Sequence, residues 1–417
     1  VKPVPFDYRR AGSVAEACAL LAEDPGALRI AGGQTLMPML AMRLARPTRL
    51  IDILRIPGLD GIQATDRHVT LGATARQAAV GRSRVVAEEL PLLFRAIPWI
   101  GHPPTRRRGT VGGSIANADP TAEIGLVAVA LGTEVLLAGT ADDAASIPAG
   151  EFFLGPMVTA LPAGAMVAGL RFPRRADRRR VGTGFAEVAQ RHGDFALAAA
   201  AAEVTLDEAG QCRALRLAVG GATSTPTRLE VGGLLGGSLG EAEIRAAVDA
   251  AMQPLDMMED GHVTGPYRRR AALALAVRAI VQARDAAAGG ADAGCDPDRE
   301  RAPGPDTRRS ADLAARLPAR RAAAHRHPRR LRARRLRHLH GAAGRRAGAR
   351  MPDPGSAGRR LCHHHHRRRG AGGRAVGDPG RILRDAWHAV RILHRRHGAD
   401  RPRPAGRQPG AEPGRDR

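Results

Sequence analysis

The chain changes character abruptly at Gly289-Gly290, and that break limits how much of it can fold into one body. Residues 1–294 hold 32 basic and 30 acidic side chains, an ordinary near-neutral balance. The remainder holds 33 of the chain's 65 Lys and Arg residues against 11 of its 41 Asp and Glu. The formal charge of +24, which at first suggests a nucleic-acid partner, therefore belongs almost wholly to the tail. That tail has no Lys, a single aromatic (Trp387) and dense Arg, Gly, Pro and His. Such a composition buries too little apolar surface to offset the entropy of ordering, so residues 291–417 are expected to be disordered. The part before the break is long enough for two or three domains and a sizeable core.

Along that part, Ser13-Val14-Ala15-Glu16 reads as a capping box opening the apolar helix Ala17–Ala22, which Asp24-Pro25-Gly26 stops. Leu28–Ala31 reads as a short buried strand, Gly32-Gly33-Gln34-Thr35 as a tight turn, Leu36–Leu44 as a helix and Leu50–Ile53 as the next strand. The opening residues thus predict helix, strand, loop, helix, strand, and define a first unit over 1–56. A second α/β unit over 57–175 contains the strand His68–Ala73 and another glycine turn, Thr110-Val111-Gly112-Gly113-Ser114. The basic stretch Arg174–Arg180 reads as a solvated boundary. Beyond it, strands at Ala201–Leu206 and Ala214–Gly220 precede helices at Glu241–Met252 and Tyr267–Ala286, which suits a small α+β domain over 176–290.

Cys18, Cys212, Cys295 and Cys362 are scattered without metal-ligand spacing. No apolar run reaches the roughly 18 residues of a membrane helix, and the first residues lack the pattern of a signal peptide, so cytoplasm is the expected compartment. No nucleophile and base stand at a telling spacing. What remains are the two Gly-Gly turns, each before a predicted helix. A dinucleotide needs such turns, because backbone without Cβ atoms can approach a pyrophosphate and offer it consecutive N–H groups. Thr35, Thr110 and Ser114 could add hydroxyls. Either pair alone more often marks a simple turn, and neither matches G-x-G-x-x-G.

The longer strings are specific. Ala31-Gly32-Gly33-Gln34-Thr35-Leu36-Met37-Pro38, with Arg43-Leu44-Ala45-Arg46-Pro47 after it, resembles the first FAD motif of the flavin subunits of molybdenum hydroxylases, the xanthine dehydrogenase and carbon monoxide dehydrogenase family. The segment from Arg108 through Gly112-Gly113-Ser114 and Asn117 to Glu123 resembles the second. Resemblance runs from Pro3 to about Ala288. It implies an α+β protein with the vanillyl-alcohol-oxidase-like (PCMH-type) FAD fold: two α/β subdomains, then a small α+β domain. It implies FAD along Ala31, Gly32, Gly33, Gln34 and Thr35 and along Thr110, Val111, Gly112, Gly113 and Ser114, with Asn117, Asp119 and Glu123 near the cofactor. Arg191-His192-Gly193-Asp194-Phe195 resembles a third segment, placing Phe195 either beside the flavin ring or in the core. His192 and Asp119 read equally as redox tuners or as a surface histidine and a capping aspartate. Arg107 and Asn117 stand where the family often has Asn and His. The resemblance further implies molybdopterin on a large partner subunit, [2Fe-2S] clusters on a small one, a dimer of heterotrimers, and electrons leaving the flavin to NAD, quinone or oxygen. A stand-alone FAD oxidase is the weaker enzymatic alternative. An Arg-rich nucleic-acid binder with a globular carrier is the alternative of another class, and its contacts would be non-specific.

The tail also reads as another protein in the wrong frame. If each codon begins one nucleotide later, with third bases chosen from those the code permits, Leu331 to Gly341 becomes C-E-H-G-V-C-G-T-C-T-V. Ala386 to His394 becomes H-G-M-Q-C-G-F-C-T by the same shift. Both resemble cluster motifs of the family's [2Fe-2S] subunit, and the shift falls just before Cys295. As written, the tail carries no cysteine cluster.

Overall fold

The computed structural model describes residues 2–139, 145–175, 180–261 and 263–289. The expectations for 291–417, disorder and a shifted frame alike, lie outside the described residues.

The first unit is a three-stranded sheet with a helix laid on it. Strand β1 (Asp7–Arg10) comes first, followed by α1 (Val14–Glu23), β2 (Leu28–Ile30), α2 (Leu36–Ala41) and β3 (Arg49–Asp52). The order is β1-β3-β2, all parallel, with Asp7 opposite Arg49 and Leu28 opposite Leu50. Ser13 caps α1 as its sequence suggests, accepting from the Glu16 amide at 3.1 Å, while the Glu16 carboxylate takes the Gly12 amide at 2.7 Å. The opening strand β1 is not in the sequence reading, because all four of its residues are exposed and it shows no apolar alternation. It is held by backbone pairing and by Tyr8, whose hydroxyl donates to Asp52 at 2.5 Å. The second helix stops at Ala41, short of the predicted Leu44.

The second unit is a five-stranded antiparallel sheet in the order β4-β5-β10-β6-β7. It contains β4 (Ile62–Ala64), β5 (His68–Gly72), β6 (Glu134–Ala138) and β7 (Ser146–Pro148), closed by β10 (Met166–Pro173), with the small pair β8 (Phe153–Gly155) and β9 (Val158–Thr159) beside it. Between β5 and β6 the chain inserts six helices: α3 (Gln77–Val80), α4 (Arg84–Glu89), α5 (Pro91–Ala96), α6 (Pro103–Arg108), α7 (Val111–Asn117) and α8 (Glu123–Leu131). Every residue of α8 is buried, as expected for a helix that is apolar on all sides. It ends at Gly132, whose φ of +67° is the left-handed cap such a stop uses. A short α9 (Ala149–Phe152) follows β7.

The third unit is an antiparallel sheet of β11 (Val181–Ala189), β12 (Ala196–Leu206), β13 (Cys212–Gly220) and β14 (Thr227–Arg228), covered by α10 (Glu241–Met252) and α11 (Gly265–Ala288). The alanine run of β12 explains how this sheet is buried on both faces. Successive side chains point to opposite faces. Ala199 and Ala201 join the core around α8, whereas Ala198, Ala200 and Ala202 join the core under α11. Side chains of one carbon let a helix approach on each side. The reading from sequence begins this strand at Ala201; the alanines before it carry no strand signal of their own, and pairing with β11 decides the matter.

Candidate functional site

A cleft of about 370 Å³ opens where the loop after β2, the start of α7 and the segment before β12 meet. Its lining includes Ala31, Gly32, Gly33, Gln34, Thr35, Thr110, Gly112, Gly113, Ser114, Asn117, Asp119, Glu123 and Phe195. Stretches more than 150 residues apart in sequence are thus brought to one surface. Of the residues singled out from sequence, Val111 does not line the cleft. It is fully buried in the core, since the helix that begins there turns its first side chain inward.

The two glycine turns play different parts. In the first, Gly33 has φ +68°, and a Cβ on Gly32 would run into the backbone carbonyl of Arg108. None of the backbone hydrogen bonds of the described residues uses the amide of Gly32, Gly33, Gln34 or Thr35 as donor. Those N–H groups are consecutive and stand at the cleft, which is what an anionic group requires. The second turn spends its amides inside the protein: Val111 donates to Ala75 O at 2.9 Å, Gly112 to Ala73 O at 2.8 Å and Ser114 to Thr110 O at 3.1 Å. The Gly113 amide goes to the Thr110 hydroxyl at 3.1 Å, so that hydroxyl is a helix cap. A Cβ on Gly112 would lie 2.6 Å from the Ala73 Cβ. The second turn therefore shapes the cleft by close packing and offers the Ser114 side chain rather than backbone donors.

Beyond the turns, Asp119 accepts both the amide and the hydroxyl of Thr121, at 2.9 and 2.6 Å, which braces the approach to α8. Asn117 donates to Met157 Sδ at 3.7 Å. Glu123 begins α8 inside the protein; burial, with the charge of Asp119 adding to it, pushes its carboxyl up to about 8, against a hydrogen bond from its own backbone amide and the pull of Arg106. His192, which like Val111 is not among the lining residues, sets its ring edge-on to Trp99 at 5.8 Å, and Gly193, with φ +85°, lies against the His102 ring. Burial, with Arg106 and His102 adding like charge, lowers the His192 pKa. Arg106 itself holds the loop before α6, donating to Ile100 O and Gly101 O at 3.0 Å each.

Sequence reasoning missed Gln77. It is buried, lines the cleft opposite Gly109, and its Oε1 has no hydrogen-bond partner. Nothing around it forms a motif; its signal is the orphaned acceptor, visible only once the chain is folded. A cleft with unspent amides at one end, an unpartnered side-chain acceptor along it and an aromatic, Phe195, at its lining has the donors and surfaces a flavin dinucleotide uses. Among the described residues, no group of three His, Cys, Asp or Glu side chains is placed to hold a metal. No helix among them is long and apolar enough to cross a membrane.

Comparison with known proteins agrees with this geometry. Residues 4–175 match the family described as the FAD binding domain in molybdopterin dehydrogenase, and residues 183–283 match the CO dehydrogenase flavoprotein C-terminal domain. The 6-hydroxypseudooxynicotine dehydrogenase complex subunit alpha of Paenarthrobacter nicotinovorans is 37% identical over 68% of this chain and 96% of its own length. The carbon monoxide dehydrogenase medium chain of Hydrogenophaga pseudoflava is 34% identical over 67% of this chain and 96% of its own. Among solved structures, quinoline 2-oxidoreductase from Pseudomonas putida 86 superposes with a TM-score of 0.65 at 31% identity, covering 69% of this chain and 99% of that one. The chain belongs to the FAD-binding medium subunits of the molybdenum hydroxylase family of oxidoreductases.

Proposed function

We propose that this subunit carries electrons between [2Fe-2S] clusters on a small partner subunit and an acceptor such as NAD, quinone or oxygen, with the substrate oxidised at molybdopterin on a large subunit. Bound FAD supplies the redox chemistry, taking up one or two electrons at its isoalloxazine ring. The protein's share is to hold and orient it. In this reading the amides of Gly32, Gly33, Gln34 and Thr35, after Ala31, meet the pyrophosphate. Thr110, Gly112 and Gly113 set the wall of the cleft with Val111 buried behind them, and Ser114 and Asn117 give side-chain contacts. Asp119 and Glu123 bound its polar end, and Phe195 lies beside the ring. The observation that carries the proposal is the convergence of all three sequence segments on one cleft whose first turn leaves its amides unspent. The relatives differ in what their names say they act on, so the substrate is not carried over. A dimer of heterotrimers in the cytoplasm is the assembly this reading expects. The test is to co-express the chain with a large molybdopterin subunit and a small [2Fe-2S] subunit of this family and follow the flavin band under anaerobic substrate. Bleaching that needs both partners supports the route; a flavin that stays oxidised while the clusters are reduced refutes it.

We also propose that residues 295–417 are a [2Fe-2S] subunit read one nucleotide out of frame. Resequencing the gene from the codon of Val281 onward decides this. A missing or extra base near Gly290 restores the cluster motifs, and an unchanged sequence removes the proposal.

A further inference from the structure

Glu187 sits on β11, where period-two alternation puts Thr183, Phe185 and Glu187 on the face turned toward α5 and α8. The contacts agree: Arg95 of α5 donates to the Thr183 hydroxyl at 3.1 Å, and Phe185 packs on Trp99. Glu187 is 4% exposed, and its Oε2 has no hydrogen-bond partner. A carboxylate left so would be costly, since an isolated buried charge without compensating bonds takes up a proton instead. Its electrostatic neighbour is Glu123, which comes from the other side of the junction, is 8% exposed, and lines the cleft. Asp119 adds like charge from the turn before α8, Arg106 opposes it from α6, and Arg95 stands further along the same sheet face. Burial followed by the Glu123 charge holds the Glu187 carboxyl well above the ordinary range.

We propose that Glu123 and Glu187 form a two-carboxyl acid site spanning the junction between the flavin-binding part and the C-terminal domain, and that this site keeps its protons so that an anionic dinucleotide can be held in the cleft. The inference rests on the FAD reading above. The physical reason is charge. FAD brings two negative charges on its pyrophosphate, and reduction to the hydroquinone anion adds a third. Two ionised carboxylates in a dry junction beside it would repel each of them. Protonated, the pair is neutral and Glu123 becomes a hydrogen-bond donor to the cleft. The two groups do not titrate together. The steps belong to the pair: the first proton leaves near pH 8, and the charge then formed defers the second ionisation. FAD affinity is thereby linked to one proton over the range in which Glu123 titrates.

The experiment uses the full chain stripped of flavin. Infrared spectra across a pH titration should show buried carboxylic-acid carbonyl bands at pH 7, the first fading near pH 8. Glu187→Gln removes one band and brings the Glu123 step to lower pH. Glu123→Gln removes the other and brings the Glu187 step to lower pH. The dissociation constant for added FAD should rise about tenfold between pH 7 and 9 in the wild type and by a smaller factor in Glu123→Gln. Absence of acid bands at pH 7, or an equal pH slope of FAD binding in Glu123→Gln and wild type, overturns the proposal. The infrared arm needs no flavin, so a chain that takes up no FAD refutes the functional reading while the pair is still judged by its bands. Should one variant fail to fold, the other carries the same test.

Discussion

Gly112→Ala probes whether the cleft depends on close packing of the second turn. The new Cβ would lie 2.6 Å from Ala73 Cβ, 2.8 Å from its Cα and 2.9 Å from its carbonyl oxygen, whereas ordinary contact begins at 3.4 Å. The obstacle is largely backbone and cannot rotate away, so α7 must retreat by about 0.8 Å. Retreat stretches the bond from the Gly112 amide to Ala73 O, now 2.8 Å. Overpacking of this size costs about 1–3 kcal/mol, and the weakened bond about 1 kcal/mol more. The gain from replacing a helical glycine returns about 1 kcal/mol. A net loss of about 2 kcal/mol follows, which lowers the melting temperature of a domain this size by about 4–8 °C. The same retreat carries Ser114 and Asn117 away from the cleft; losing one hydrogen bond of about 1 kcal/mol weakens FAD binding about fivefold. Thermal melts and titration of FAD into the stripped chain measure both effects. Gly150→Ala is the control, because nothing lies within 4 Å of its Cβ. If Gly112→Ala melts and binds FAD like the control, the packing argument for the second turn is wrong.

Other perturbations test separate parts of the structure. Ser13→Ala removes the cap of α1 and should cost about 1 kcal/mol in denaturant unfolding, with no effect on FAD binding. Arg268→Met removes a fully buried guanidinium that donates to Leu197 O and Gly221 O and pairs with Asp260 at 2.6 Å. It should destabilise the C-terminal domain by about 3–5 kcal/mol, read as a lower denaturant midpoint. Glu123 and Glu187 bind protons more tightly folded than unfolded, so they favour the folded state most at low pH. Stability should therefore fall as pH rises from the ordinary carboxyl range to about 8, and Glu123→Gln should flatten that fall in pH-dependent urea melts.

Much of the cleft is legible in the sequence because its parts are local. The turns at Gly32-Gly33 and Gly112-Gly113 are written in consecutive residues, and so are the helices expected with them. The division of labour between the turns is not. It depends on Ala73 and Ala75 reaching across to take the amides of residues 112 and 111, a contact no spacing announces. Gln77 and Glu187 are hidden for a similar reason: an isolated polar residue in an ordinary stretch becomes informative only when folding buries it without a partner. Strand β1 escapes because it is exposed along its length, and the start of β12 because alanine by itself favours helix over strand, a preference that pairing with β11 overrides.

The central claim is that this cleft holds FAD, and the direct measurement is the visible spectrum and cofactor content of the purified full chain. The account predicts a yellow protein whose flavin is released on denaturation, and whose stripped form regains the bound-flavin spectrum when FAD is added. A chain that circular dichroism shows to be folded, yet is colourless and leaves the fluorescence of added FAD unchanged, would contradict it.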